Sequence, residues 1–161
     1  MDSEKIFAAR KTIEQVEEGI ELAPKFDENG LIPAVTTDFE SGELLMHGFM
    51  NSQALTLSIK SGEAHYFSRS RSSIWHKGET SGLVQKILEL RIDDDQDCVW
   101  LRVEVSGGAS CHVGYRSCFY RKLPNIEEIN NNEPIQLKFT EMEKIFDPDE
   151  VYGNLENPTK L

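Results

Sequence analysis

The sequence predicts an α+β protein, and three local patterns carry that prediction. VWLRVEV at 99–105 alternates apolar and polar residues at period two, as a half-buried strand does. LIPAVTTDF and LLMHGFM are apolar runs joined by Ser41-Gly42-Glu43, which makes a hairpin. SQALTLSIK stands between Asn51 and Ser61-Gly62, a short helix with capping residues at both ends.

The remaining elements follow in chain order. Residues 3–20 carry Ile6, Phe7, Ile13, Val16 and Ile20 at roughly helical spacing among Glu and Lys, so residues 1–25 are expected to form an amphipathic helical segment. Asp27-Glu28-Asn29-Gly30 is a turn before the hairpin. After the capped helix, AHYFSRSRS is an expected strand and HKGETSG a loop. VQKILELRI is a further strand, and after VWLRVEV the pair Gly107-Gly108 turns the chain into CHVGYRSCFYRKL. Past Leu123, INNNEP is loop-like and FTEMEKIFDPDE reads as one helix before a frayed end. The functional vocabulary thus falls in a domain of residues 26–123, with 124–161 as an extension.

The 161 residues suffice for one domain with a real core, and 39% hydrophobic with 28% charged residues is ordinary globular composition. No run of 18 apolar residues exists, and the charged N-terminus lacks the apolar centre of a signal peptide. The expectation is a cytoplasmic protein with no membrane partner. A net charge of −11 argues against broad nucleic-acid binding, which needs Lys and Arg for phosphates. Three cysteines cannot close a disulfide framework among themselves, and in a reducing compartment clustered thiols more often serve metals or catalysis.

The stretch IDDDQDCVW concentrates charge that a compact protein must compensate. In an extended segment Asp93, Asp95 and Asp97 would point to one side, with Asp94, Gln96 and Cys98 on the other. Converging carboxylates suit a hard cation, Mg²⁺ or Ca²⁺, although a solvated acidic turn is the plainer reading of an Asp-rich loop. An EF-hand starting at Asp93 would need Gly at its sixth position, where Cys98 stands, and helices on its flanks. Cys111 and Cys118 lie in a short polar loop, where burying small residues is not the obvious use of cysteine. Thiolates select Zn²⁺, and three protein ligands with one open position make a catalytic zinc. His112, beside Cys111, is a candidate proton carrier or fourth ligand.

IPAVTTD, GELLMHGFMN, YFSRSR, WHKGETSG, DDDQD and CHVGYRSCFYR stand in the order and approximate spacing of the phosphoribosyl-AMP cyclohydrolases. The resemblance covers roughly residues 31–123. It implies a homodimer of α+β subunits with a mainly antiparallel sheet, and hydrolysis of the N1–C6 bond of a small nucleotide, phosphoribosyl-AMP, in histidine biosynthesis. It also implies Zn²⁺ and Mg²⁺, with the zinc site across the dimer interface. By residue, it implies magnesium at Asp93, Asp95 and Asp97, and zinc at Cys111 and Cys118. The chain departs from the family where the remaining zinc cysteine usually stands, since that position is Asp94 and Cys98 follows the last aspartate. Cys98 is the favoured third ligand because a thiolate suits zinc better, and Asp94 is the alternative. Some family members carry a fused pyrophosphohydrolase, and the residues after Leu123 are too few for one, so a monofunctional protein is expected.

Within that resemblance, His112 is the expected proton shuttle. Arg69 and Arg71 would share one face of a strand and fork onto phosphate oxygens. Lys77 would add a point charge, Glu79, Thr80 and Ser81 would meet ribose or metal, and Trp75 would stack on the purine or lie buried. Two rivals come from other classes. A zinc nucleobase deaminase would show H-x-E…P-C-x-x-C, which is absent. A cation-sensing module would leave SRSR and the cysteine loop unexplained.

Overall fold

The computed structural model describes residues 6–130 and 132–161. Four strands form the main sheet: β1 (Leu31–Asp38), β2 (Leu44–Asn51), β5 (Gln85–Ile92) and β6 (Val99–Val105), in the order β2-β1-β6-β5. β1 and β2 pair antiparallel, as do β5 and β6, while the central pair β1 and β6 is parallel. The architecture is α+β with mostly antiparallel pairing, as expected. Between β2 and β5 lie α2 (Ser52–Ser61) and the hairpin β3 (His65–Ser68) and β4 (Ser73–His76).

Period two decides what the sheet buries. Val99, Leu101 and Val103 of β6 are fully enclosed, and they meet Ile32 and Ala34 of β1, Met46 and Met50 of β2, and Tyr66 of β3. Each such aliphatic side chain is worth about 1.5–3 kcal/mol when fully buried. α2 starts where Asn51 accepts the Ala54 N–H at 2.8 Å and stops at Gly62, whose φ of 74° is left-handed. Ser58 ties that helix to β3 by accepting the His65 N–H at 2.9 Å. Gly48 lies against the Tyr66 ring, and a Cβ there would stand 2.9 Å from Tyr66 Cδ1.

Both ends correct the sequence reading. The N-terminal helix is only α1, Ile13–Glu18. Thr12-Ile13-Glu14-Gln15 makes a variant of the capping box: Thr12 Oγ1 accepts the Gln15 N–H, and Gln15 Oε1 accepts the N–H of Lys11, one residue before the cap. That box fixes where the helix begins, and upstream the Ala8 N–H bonds to the Leu22 carbonyl instead. Ile13 and Ile20, expected on an apolar face, are exposed. Residues 1–5 of the expected helical segment lie outside the described residues.

The expected helix over FTEMEKIFDPDE is likewise replaced. β8 (Lys138–Phe139) pairs with β7 (Arg121–Lys122), and Ile145 donates to the Gly114 carbonyl at 2.7 Å. Helix begins only at α3, Pro148–Tyr152, after the Asp147 cap, because proline is tolerated at the first turn and not in the interior. Among the described residues no helix is long and apolar enough to cross a membrane.

Candidate functional site

The six residues between β5 and β6 are a turn, not the extended segment expected. Asp93 organises it: its Oδ1 accepts the N–H groups of Asp97 at 2.9 Å and Cys98 at 3.0 Å, and its carbonyl accepts the Gln96 N–H at 3.2 Å. The grouping of carboxylates survives the change of reason. One oxygen each from Asp93, Asp95 and Asp97 lies within 4.8 Å of the others. A hydrogen bond with Asp93, then burial and Asp95, push the Asp97 carboxyl up to about 6. Asp94 is exposed, Cys98 is half-buried, and Gln96 is buried. Strands flank the turn on both sides, which excludes an EF-hand. Three crowded carboxylates, one of which keeps its proton to higher pH beside the others, fit a hard divalent cation.

The second cluster is made of sulfur. After the turn Ser106–Gly108, the chain closes on itself as Ser110 donates to the Arg116 carbonyl and Cys111 to that of Tyr115. Gly114 sits at the tip with a φ of +104°, and a Cβ there would meet the Phe146 carbonyl oxygen at 2.5 Å. Cys118 is fixed to β2, its N–H donating to the Leu45 carbonyl at 2.7 Å. The Cys118 thiol donates to Cys111, which brings Cys111 down to about 6 despite its burial and raises Cys118. The Lys77 charge adds to the lowering of Cys111 and opposes the rise of Cys118. Lys77 is 4% exposed and donates to the Ser110 carbonyl at 2.5 Å, and burial pushes its own pKa down. A low-pKa thiolate beside a second thiol fits a soft or borderline metal such as zinc.

Cys98 is not in this pair. Burial first, then Asp93 and Asp97, raise its thiol, so it belongs electrostatically to the acidic loop. Among the described residues the three aspartates are the one group of three potential ligands brought together, and the three cysteines of a chain do not converge. His112 is half-buried, and its Nε2 is buried with no hydrogen-bond partner among the described residues. Burial and then the Lys77 charge lower its pKa, opposed by a bond with Asn157.

The remaining expected residues spread along one hairpin and loop. β3 ends at Ser68, so Arg69 and Arg71 lie in the turn and do not share a strand face. A serine at position 72 with a φ of +48° makes that turn. Arg69 stacks 4.1 Å above the Phe49 ring, and Arg71 Nε reaches Ser68 Oγ at 3.3 Å. Trp75 packs against the core 5.4 Å from the Tyr66 ring, with Lys77 Nζ 5.3 Å above it. Glu79 and Thr80 are exposed, and Ser81 Oγ accepts the Leu83 N–H at 3.2 Å.

Sequence reasoning missed the placement of Lys77 beside the thiols and the buried polar chain that leads there. Tyr66 OH meets Thr36 Oγ1 and Gln85 Oε1, each at 2.6 Å, and Gln85 Nε2 donates to Ser110 Oγ at 3.1 Å. The available signal was period two, which turns Tyr66 and Gln85 inward on their strands.

The model of the family described as phosphoribosyl-AMP cyclohydrolase matches residues 46–120. A protein of that name from Rhodopseudomonas palustris strain BisA53 is 56% identical over 86% of this chain and 92% of its own. Its namesake from strain HaA2 is 53% identical over 91% and 96%. One from Rhizobium leguminosarum bv. trifolii strain WSM2304 is 51% identical over 86% and 89%.

Proposed function

The chain belongs to the phosphoribosyl-AMP cyclohydrolase family, and from that premise we propose that it opens the adenine ring of 1-(5-phosphoribosyl)-AMP in histidine biosynthesis. Water adds at C6, the N1–C6 bond breaks, C6 keeps the oxygen as a carboxamide and N1 takes a proton. The observation that carries the reading is the pairing of an oxygen cluster with a sulfur cluster on one likeness that runs most of the chain.

Asp93, Asp95 and Asp97 would hold Mg²⁺, and Cys111 and Cys118 would hold Zn²⁺. Because Cys98 stands with the aspartates of its own chain, the reading draws the third zinc ligand from Cys98 of a second copy, with Asp94 as the alternative. Zinc at such a site supplies a Lewis acid that lowers the pKa of water from 15.7 to about 7. The Cys118 thiol first, and the Lys77 charge after it, favour the thiolate form of Cys111. His112, held neutral by burial and by the Lys77 charge, has Nε2 open to take a proton from the attacking water and return it at N1. Such acid–base help is worth about 10²–10⁴-fold.

Arg69 and Arg71, at the tip of their hairpin, offer guanidinium groups to the phosphates, and the 77–82 loop borders the ribose. Trp75 serves as a wall of the site, its ring already committed to the core.

The test is to supply purified protein with phosphoribosyl-AMP and follow the absorbance change of ring opening. Activity is expected to vanish with a chelator and return with Zn²⁺ plus Mg²⁺. Turnover by metal-free protein would overturn the mechanism, and ammonia release would favour a deaminase.

A further inference from the structure

The N-terminal segment is bonded to the back of the acidic loop, and the bonds converge on Gln96. This residue is 4% exposed and takes a φ of +58°, a left-handed conformation that costs a residue with a Cβ energy. Its Oε1 accepts the Ala23 N–H at 2.8 Å. Its Nε2 donates to the Val16 carbonyl at 2.9 Å and the Glu21 carbonyl at 3.2 Å. Its own carbonyl accepts the Lys25 N–H at 2.7 Å. Arg10 completes the ring of bonds, donating to the Ala23 carbonyl at 2.7 Å and the Asp95 carbonyl at 2.9 Å. Every partner is backbone, so the loop grips the path of residues 16–25, whatever their side chains.

The left-handed step at Gln96 folds Asp97 back so that its N–H, with that of Cys98, reaches Asp93 Oδ1. The resulting crowd of carboxylates favours opening the loop, and the buried amide of Gln96 resists it. Resting on the reading of Asp93, Asp95 and Asp97 as a magnesium site, we infer that Gln96 is a positioning residue. Through the N-terminal segment it clamps the loop and so holds the three carboxylates at a fixed spacing. Mg²⁺ demands near-octahedral oxygens at about 2.0–2.1 Å, whereas Ca²⁺ accepts irregular shells at about 2.3–2.6 Å. A clamped loop therefore holds the smaller ion well, and a slack one loses it first.

The experiment titrates Mg²⁺ and Ca²⁺ calorimetrically into the zinc-loaded full chain and its Gln96→Ala, Arg10→Ala and Asp97→Asn variants. Gln96→Ala is expected to weaken Mg²⁺ by at least about tenfold, the range for residues that support metal ligands, and Ca²⁺ by less. Arg10→Ala, a surface change, should move the same ratio in the same direction by a smaller factor. Should Gln96→Ala fail to fold, Arg10→Ala decides. Parental affinities in a folded variant, or equal losses for both ions, would overturn the clamp. A parent that binds no Mg²⁺, or binds it independently of Asp97, removes the magnesium reading itself and the clamp with it.

Discussion

Three carboxylates meet within a single turn, Asp93–Cys98, whereas the cysteine loop brings together two thiols and leaves the third cysteine beside those carboxylates. The acidic cluster is closed by bonds inside its own turn and by one buried amide. The sulfur pair depends on β2 for Cys118, on Lys77 for charge and on Gln85 for the seat of Ser110. On the proposed reading, the cluster closed locally would be complete in one chain, and the pair assembled from distant elements would take its third ligand from a second copy.

The strongest way to break this contrast is to separate the cysteines genetically. Cys98→Ser and Cys118→Ser should each lose zinc and activity by more than about 100-fold, since even residues supporting metal ligands cost 10–100-fold. Asp94→Ala should keep its zinc. Refolding the two inactive variants together should restore part of the activity, because on the proposed reading a mixed dimer would contain one site with all its ligands. No recovery on mixing would show that each chain fills its own site.

A smaller effect sharpens the sulfur side. Lys77→Met removes a buried cation beside Cys111, so the ultraviolet thiolate titration of metal-free protein should move up by about one unit. An unmoved midpoint would leave the bond from Cys118 and the backbone bonds at Val113 and Tyr115 as the causes.

The smallest effect belongs to the acidic side. Asp97 binds its proton more tightly folded than unfolded, so its contribution to stability is full below the ordinary carboxylate pKa and lost as pH rises through about 6. Metal-free protein should show a Tm component that declines between about pH 4 and about pH 6, and Asp97→Asn should flatten it. Solvent around the loop keeps the amplitude small. A Tm that rises on Asp97's account over that range would contradict the crowding.

What the sequence made legible was local. The β1–β2 hairpin, the Asn51 and Gly62 caps and the alternation of β6 all depend on neighbours within a few positions. The extent of α1 was hidden because Gln96, more than 70 residues away, holds residues 16–23 in their path. The segment after Phe139 answers to Tyr120 and Gly114 in the same way. At the site, the aspartates were grouped correctly but for the wrong geometry, a pleat where there is a turn. The arginines of SRSR were placed on a strand that ends before them. Lys77 looked like an open loop charge because nothing in HKGETSG announces burial against Ser110.

Gly48 carries a consequence out of proportion to its size. The ring pressed on it cannot retreat, since its hydroxyl is held at both Thr36 and Gln85. A methyl group added at that strand would act as a wedge, and one path for the displacement runs through Gln85 to the residue preceding Cys111. A hydrogen atom in the middle of β2 is therefore a tolerance on which the alignment of the distant sulfur depends.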